Sequence, residues 1–285
     1  MKRSLYFAVS FVLALAIGVS AGCAGNRATP SQVPVVPTES PVPVPKTQVL
    51  LYFNRGEYVG VAGREIPAET DLGTRIESTL DELCNGPSEQ DLQYGLTGTA
   101  IPSGTQVNGV TVDGDLATVD LSESFQSGGG SLSMLLRVAQ VVFTVTQFKD
   151  VERVAFELDG VPAQAIGGEG VVVSPPVTRA DFEGQTPPIL VERPVPGQQV
   201  KSPIKVSGSS NVFEGQSNVD VKDPDGVIVS QQIITATSGM GTRGTFEASI
   251  PYETPRTGQG SVIFFDISPK DGSTIDLVEI PVVLK

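Results

Sequence analysis

Residues 100–125, AIPSGTQVNGVTVDGDLATVDLSESF, predict a β-hairpin whose buried face is set by the sequence. Apolar residues stand at every second position on both sides of a central Asp-Gly pair: Val110, Val112, Ala117, Val119 and Leu121. This alternation is typical of a half-buried strand pair, and Asp-Gly suits a tight turn. A two-residue loop of Asp113 and Gly114 pairs Val110 with Ala117, whereas a four-residue loop pairs it with Val119. In both registers the apolar set stays on one face.

The segments around this hairpin predict two helices and two further strands. Residues 47–53 are typical of a strand that ends at Asn54-Arg55-Gly56. A first helix starts between Thr70 and Thr74 and ends before Gly86-Pro87, with Thr74 to Glu77 as a candidate capping box. Its apolar stripe is Leu72, Ile76, Leu80 and Leu83.

The second helix, residues 132–147, is apolar on most faces, so a sheet or a partner must bury it. The last strand of this part alternates through Val154, Phe156 and Leu158 into a turn at Asp159-Gly160. The order strand, helix, strand, strand, helix, strand predicts a split β-α-β domain, with two helices on one face of an antiparallel sheet. A proline-containing segment, residues 168–188, follows, and we place the domain boundary near Gln185.

Beyond this boundary the helical periodicity disappears. Short strand-like runs are separated by Gly, Pro and Asp turns, at residues 204–206, 217–221, 227–235, 246–250, 261–267 and 275–284. About seven such strands are typical of an immunoglobulin-like sandwich, here without the Cys and Trp of antibody domains. The predicted fold class is therefore α+β: a split β-α-β (β-α-β-β-α-β) domain over residues 47–185, then an all-β immunoglobulin-like sandwich over residues 186–285.

The N-terminus, residues 1–22, has the pattern of a secretory signal peptide. Lys2-Arg3 precedes an apolar run, residues 5–19, and small residues lead to Cys23. A transmembrane anchor is the alternative, but the run is short for the roughly 20 residues of a spanning helix. Residues 20–23 resemble a lipobox, with Ser20 where Leu is usual. The resemblance implies cleavage before Cys23, a diacylglycerol on its sulfur and retention on the extracytoplasmic face of the membrane; secretion without lipid is the alternative.

Residues 23–46 are proline-rich and predict a tether, which extends by about 3.1 Å per residue in polyproline conformation. A ligand for a proline-binding module is the alternative interpretation. If Cys23 carries lipid, Cys84 has no partner for an intramolecular disulfide, and its place at the end of an apolar helical pattern predicts a buried, inert thiol.

Composition excludes several classes of function. The 285 residues include no histidine, which excludes Ser-His-Asp and Cys-His catalysis and His-ligated metals. A net charge of −13 argues against nucleic-acid binding. Glycan recognition usually uses exposed aromatic residues, and a chain with no Trp and five Tyr argues mildly against it.

Several motifs have a functional and a structural interpretation. Asp223-Pro224-Asp225-Gly226 begins like a calcium loop, but Val227-Ile228-Val229 offers no further side-chain oxygen, so a strand-joining turn is favoured; Asp113-Gly114-Asp115 is interpreted alike. Residues 127–131, SGGGS, lack the strand and the Gly-Lys-Ser/Thr of a phosphate loop and predict a linker. Residues 213–215 are a packing corner or an exposed recognition corner. A glycosidase-type carboxylate pair needs two positioned acids, whereas Asp81-Glu82 and similar pairs stand on solvated faces or turns.

Both halves also resemble known families. Residues 51–53, 80–87, 100–105, 117–120 and 151–160 together resemble the GerMN domain of spore germination and sporulation lipoproteins. Residues 196–197, 202–204, 206–208, 212–215, 223–226 and 268–272 resemble Gmad2, the immunoglobulin-like partner domain of GerMN proteins.

The resemblance implies a non-catalytic, membrane-anchored envelope lipoprotein that acts in protein assembly or adhesion during sporulation or germination. The expected partners are envelope proteins, including copies of itself, and the membrane through lipid on Cys23. A peptidoglycan- or glycan-binding module of the cell wall is the alternative function. We predict no catalytic residue, no cofactor, no metal site and no nucleic-acid partner.

Overall fold

A computed structural model describes residues 44–168 and 170–285. The predicted signal peptide, Cys23 and most of the predicted tether lie outside the described residues. Among the described residues, no helix has both the length and the apolar character needed to cross a membrane.

The elements up to residue 172 form the first module: β1 (Lys46–Arg55), β2 (Tyr58–Pro67), α1 (Leu72–Cys84), α2 (Glu89–Gln93), β3 (Val107–Asp113), β4 (Leu116–Leu121), α3 (Ser131–Val145), β5 (Arg153–Leu158), β6 (Val161–Pro162), β7 (Ala165–Ile166) and β8 (Val171–Val172). The elements from residue 189 form the second module: β9 (Ile189–Arg193), β10 (Gln199–Val200), β11 (Ile204–Ser210), β12 (Gln216–Lys222), β13 (Ile228–Thr235), β14 (Gly244–Ile250), β15 (Gly258–Ile267) and β16 (Thr274–Leu284). Three short 3-10 segments lie at Glu123–Gln126, Arg179–Gln185 and Phe213–Gly215.

The predicted hairpin is β3 and β4, and it adopts the register in which Val110 faces Val119. Asp113 pairs with Leu116, so the turn itself consists of Gly114 and Asp115. Gly114 has φ of 59°, the positive value that the first position of a type II′ turn requires. Val119 is fully buried and Val110 packs against the same core, so the predicted buried face is confirmed.

The hairpin belongs to a four-stranded sheet of order β3-β4-β5-β6 that is not wholly antiparallel as predicted. β4 and β5 run parallel, with Val119 opposite Phe156. The chain between them passes through α3, and a helical crossover returns the next strand in the same direction. The α+β class of this half is confirmed.

The strand β2 was not predicted, and it changes where β1 lies. Asn54-Arg55-Gly56 does not end an isolated strand but leads into a hairpin in which Arg55 pairs with Tyr58. The result is a separate two-stranded sheet of β1 and β2. Gly60 and Gly63 interrupt the alternation of β2. A Cβ at Gly63 would lie 2.7 Å from Cγ2 of Val195, so this glycine permits close packing against another part of the chain.

Polar side chains of the helix α3 and of the turn after it form hydrogen bonds with the second edge of β1. The Gln147 side chain accepts from Leu50 N and donates to Leu50 O, both at 2.6 Å. Thr144 Oγ1 accepts from Tyr52 N at 3.3 Å. These side chains satisfy backbone groups that a neighbouring strand would otherwise pair. β1 therefore needs no place in the four-stranded sheet.

The helix α1 begins one turn earlier than the candidate capping box suggested. Asp71 is its N-cap and accepts from Thr74 N at 2.8 Å, so the capping box at Thr74 was wrong. At the other end of the helix Asn85 is the C-cap, and Gly86 follows it with φ of 82°. The helix therefore ends before Gly86-Pro87, as predicted.

The second module is a sandwich of two sheets. A three-stranded sheet of order β14-β11-β9 packs on a five-stranded sheet of order β10-β16-β15-β12-β13. Its core is aliphatic, with the rings of Phe246 and Phe264 at 6.0 Å between centroids. The predicted immunoglobulin-like, all-β second half is confirmed.

Candidate functional site: the junction of the two modules

The predicted functional residue, Cys23, lies outside the described residues. Cys84, the other cysteine, stands at the last position of α1 and packs partly buried against the first core. Burial, with a smaller effect of the Asp81 charge, raises the pKa of the Cys84 thiol to about 11. A protonated thiol is a poor nucleophile, so the position fits the predicted inert role.

The Asp223 motif forms a strand-joining turn. Asp223 Oδ1 accepts from the backbone N of Asp225 and of Val227, each at 3.0 Å. Asp225 pairs with Arg256 at 3.1 Å. The carboxylates are thus engaged within the chain, and no group of three or more His, Cys, Asp or Glu in the described ranges could hold a metal ion.

Two of the other motifs also have a structural role, whereas the corner at residues 213–215 is partly exposed. Asp115, in the turn of the β3–β4 hairpin, forms an ion pair with Arg153 through two hydrogen bonds of 2.6 and 2.8 Å. The SGGGS segment leads into the first turn of α3, and its Gly128 carbonyl accepts from Arg137 at 3.0 Å. Phe213 is 44% exposed, so its corner is not a closed packing corner.

The polar cluster that sequence reasoning missed lies where the two modules meet, around Arg179. Its Nε donates to Thr146 Oγ1 at 2.7 Å, and its Nη2 donates to the Phe143 carbonyl at 3.0 Å. Both partners belong to the first module. Its Nη1 donates to Glu192 Oε1 at 2.7 Å, and Glu192 lies in β9 of the second module. One guanidinium therefore bonds to both modules.

The first module supplies two aromatic rings to the same cluster. The Arg179 guanidinium lies 4.8 Å from the ring centroid of Phe143 and 5.3 Å from that of Tyr52. The Tyr52 hydroxyl donates to Glu192 Oε1. Burial is the main reason that the pKa of Tyr52 lies far above its usual value; Arg179 opposes the shift and Glu192 adds to it. Tyr52 therefore stays a neutral donor throughout the physiological pH range.

A second ion pair ties the connecting segment to the second module. Glu183 receives Arg243 Nε at 2.8 Å and Arg243 Nη2 at 3.0 Å, and it also accepts from Asn211 at 2.8 Å. Although burial opposes this, the bonds from Arg243 and Asn211 hold the pKa of the Glu183 carboxyl below its usual value. The segment Arg179–Gln185 is thus bonded at its start to the first module and in its middle to the second.

Apolar packing crosses the junction as well. Leu190 and Val195, which follow the start of the second module, are buried members of the first core. Gly197 lies so close to Tyr94 that a Cβ there would be 2.9 Å from the Tyr94 hydroxyl. Both modules therefore share buried surface, which stabilises one relative arrangement of them.

An open cavity of about 530 Å³ lies beside this cluster, lined by residues that include Phe143, Arg179, Glu183, Asn211 and Arg243. The two arginines are already paired with Glu192 and Glu183, so the cavity presents no uncompensated charge. The charged groups of the junction thus bond to one another.

Two families match the chain on either side of this junction. Residues 50–164 match Germane, described as "Sporulation and spore germination". Residues 188–273 match Gmad2, described as "Immunoglobulin-like domain of bacterial spore germination". The chain thus combines a GerMN-type domain with a Gmad2 domain, in the predicted order. Arg179 and Glu183 lie between the two matched ranges.

Solved structures are similar at low sequence identity. A protein described as a lipoprotein from Clostridium perfringens is 17% identical, with a TM-score of 0.36, over 50% of this chain and 93% of that one. The tandem GerMN domains of the sporulation protein GerM from Bacillus subtilis are 15% identical, with a TM-score of 0.40, over 84% of this chain and 61% of that one. The first GerMN domain of GerM is 19% identical, with a TM-score of 0.35, over 47% of this chain and 98% of that one. No curated protein matches the chain.

Proposed function

We propose that this protein is a lipid-anchored, non-catalytic scaffold of the sporulation envelope, which holds two modules in a fixed arrangement for assembly with other envelope proteins. The observation that carries the proposal is the Arg179 cluster, because one side chain bonds to both modules and stacks on buried rings of the first. A flexible pair of domains would leave such a junction exposed to water, whereas a spacer or adaptor needs it closed.

The chemistry of the chain supports a non-catalytic role. Without histidine, a catalytic site would have to use Lys, Tyr, Ser, Cys or carboxylate groups. The candidates Asp115, Asp223 and Glu183 are each bonded within turns or ion pairs. Neither family description names an enzymatic activity.

The membrane anchor rests on the sequence around Cys23, and covalent lipid tests it. The full chain is expressed in a spore-forming host with labelled palmitate, beside two single substitutions, Cys23→Ser and Cys84→Ser. We expect label in the wild type and in Cys84→Ser and none in Cys23→Ser. Equal labelling of all three, or of none, would contradict lipidation at Cys23.

The scaffold role is tested by which envelope proteins co-purify with the lipidated chain. The full chain, solubilised in mild detergent from sporulating cells, should purify with defined envelope proteins, and Arg179→Met should reduce their recovery. Arg153→Met, which breaks an exposed ion pair, is the matched control and should leave recovery unchanged. Retention on purified peptidoglycan under washing, without protein partners, would instead favour the wall-binding alternative.

A further inference from the structure

Two asparagines of the first module are each followed by a glycine, at Asn85-Gly86 and at Asn108-Gly109. A glycine has no Cβ, so its backbone nitrogen is open to attack the side-chain amide of the residue before it. In water this attack releases ammonia and converts the asparagine to an acid. The two dipeptides have the same reactive groups but lie in different surroundings, so the fold determines which of them reacts.

Asn85 lies at a helix end with little to restrain it. It is the C-cap of α1, its side chain is exposed, and among the described residues that side chain forms no hydrogen bond. Gly86 has φ of 82°, and its N–H donates to the carbonyl of Leu83 at 3.1 Å. Helix ends fray readily. The nitrogen of Gly86 can therefore turn toward the Asn85 amide once this single backbone bond opens.

Asn108 is also exposed, but it lies within the strand β3 and its amide is held on the acceptor side by two carboxylates. Nδ2 donates to Asp159 Oδ1 at 3.2 Å and to Asp120 Oδ1 at 3.4 Å. Gly109, the next residue, pairs with Asp120 in β4. Turning the nitrogen of Gly109 toward the Asn108 amide would break these side-chain bonds and the strand pairing together.

We propose that Asn85 is a site of spontaneous deamidation in the folded chain, whereas the sheet protects Asn108. This inference does not rest on the proposed scaffold role. The Gly86 nitrogen loses its proton to solvent and bonds to Cγ of Asn85, and the Cγ–Nδ2 bond breaks, so that the amide leaves as ammonia with a proton from water. One water then opens the cyclic imide. Attack at Cγ gives aspartate, and attack at the main-chain carbonyl carbon gives isoaspartate.

Either product weakens the end of α1. The last turn of this helix contains no basic residue, and Asp81 lies four residues before the new carboxylate. A negative charge at a helix C-terminus is unfavourable, and like charges four residues apart destabilise a helix. Isoaspartate also lengthens the main chain by one carbon directly before Gly86. The modification should therefore loosen the last turn of α1.

Peptide mapping by mass spectrometry of the full chain, incubated at mildly alkaline pH, tests the proposal because it separates the asparagine, aspartate and isoaspartate forms of each site. We expect Asn85 to convert at least about tenfold faster than Asn108, since a paired strand opens less often than a helix end. In urea both sites lose their surroundings and should convert at similar rates. Equal rates in the folded chain, faster conversion at Asn108, or an Asn85 that converts only in urea would overturn the proposal.

Hydrogen exchange tests the consequence for the helix. Asn85→Asp carries the charge of the product, and Asn85→Gln is the matched control with a neutral amide. Amide exchange in the last turn of α1 should be faster in Asn85→Asp than in the wild type and in Asn85→Gln, and equal exchange in all three would overturn the loosening of the helix. Palmitate labelling at Cys23 and recovery of envelope proteins do not depend on Asn85, so failure here is distinguishable from failure of the proposed function.

Discussion

Replacing Arg179 by methionine tests whether the junction stabilises the chain. Methionine keeps an unbranched apolar side chain beside the rings of Phe143 and Tyr52 but removes every hydrogen bond of the guanidinium. Glu192 then loses its ion-pair partner at 2.7 Å, and the Phe143 carbonyl and the Thr146 hydroxyl lose the donor that Arg179 supplies. The carboxylate that remains is mostly shielded from water, since its side chain is 23% exposed.

The expected cost follows from this exposure. Breaking a fully buried ion pair by removing one partner costs about 3–5 kcal/mol. Here water still reaches part of both side chains, at 30% and 23% exposure, and can solvate the orphaned carboxylate. We therefore expect Arg179→Met to lower the free energy of unfolding by about 2–3 kcal/mol.

Arg153→Met is the matched control, because it removes the same kind of side chain from an equally short ion pair. Arg153 and Asp115 are 2.6 Å apart but each side chain is 45% exposed. Pairs of this kind contribute about 0–1 kcal/mol. The difference between the two variants therefore isolates the location of the arginine from the loss of an arginine as such.

Urea unfolding followed by circular dichroism measures both variants, and the midpoint is read at unchanged slope. A double-mutant cycle with Glu192→Gln should give a coupling energy above about 1 kcal/mol for Arg179 and Glu192, as for residues in one network. If Arg179→Met lowers stability no more than Arg153→Met does, the reasoning about the junction is refuted.

Three further predictions concern other parts of the chain. Gly63→Ala should destabilise the chain by about 1–3 kcal/mol, because the added Cβ would meet the packed side chain of Val195. Gly109→Ala is the control: a Cβ there has no atom within 4 Å, so stability should change by under about 0.5 kcal/mol. Equal effects of the two variants in thermal unfolding would contradict the close packing at Gly63. Gln147→Leu leaves the N–H and C=O of Leu50 without these partners and should lower the free energy of unfolding in urea by about 1–3 kcal/mol. Gln106→Leu, at an exposed position, is the control and should change it very little. A Gln147→Leu variant as stable as the wild type would show that these side-chain bonds to β1 do not stabilise the fold. Burial raises the pKa of Cys84 to about 11, so the stability due to its protonated thiol is complete below about pH 8.5 and is lost as pH rises toward 11. Iodoacetamide should accordingly modify this thiol slowly at pH 8 in the folded chain and rapidly in urea, and fast modification of the folded chain would show an exposed thiolate.

The parts of the fold that the sequence predicts correctly are those determined by neighbouring residues. The β3–β4 hairpin has its turn, its apolar alternation and its buried face within 15 residues, from Val107 to Leu121. The register remained open because it depends on which two residues form the turn. The structure selects Gly114 and Asp115, which lets the residue with positive φ be a glycine.

The strand β2 could not be recognised in the same way. Its alternation is broken by Gly60 and Gly63, which exclude side chains where Leu96 and Val195 approach. Leu96 and Val195 come from distant parts of the chain, so no local sequence pattern predicts that they approach β2. A sequence with glycine at such positions resembles a loop, although the structure uses it for dense packing.

The predicted second helix contains a regular pattern of polar residues in an otherwise apolar sequence. Arg137, Gln140, Thr144 and Gln147 are spaced by three, four and three residues, which places them on one stripe. Three of them are buried, and each is bonded to backbone or side-chain groups of other elements. A polar stripe on an otherwise apolar helix predicts such partners, even though the sequence does not say which ones they are.

The junction shows why the two modules act as one unit. The segment between the two matched families, which the sequence presents as a loosened stretch rich in proline, contributes Val173, Val177 and Phe182 to the first core. The same segment provides Arg179 and Glu183, which bond to the second module. The segment therefore packs into the first core and bonds to the second module at the same time. The contacts between the two modules therefore include residues that lie outside both family matches.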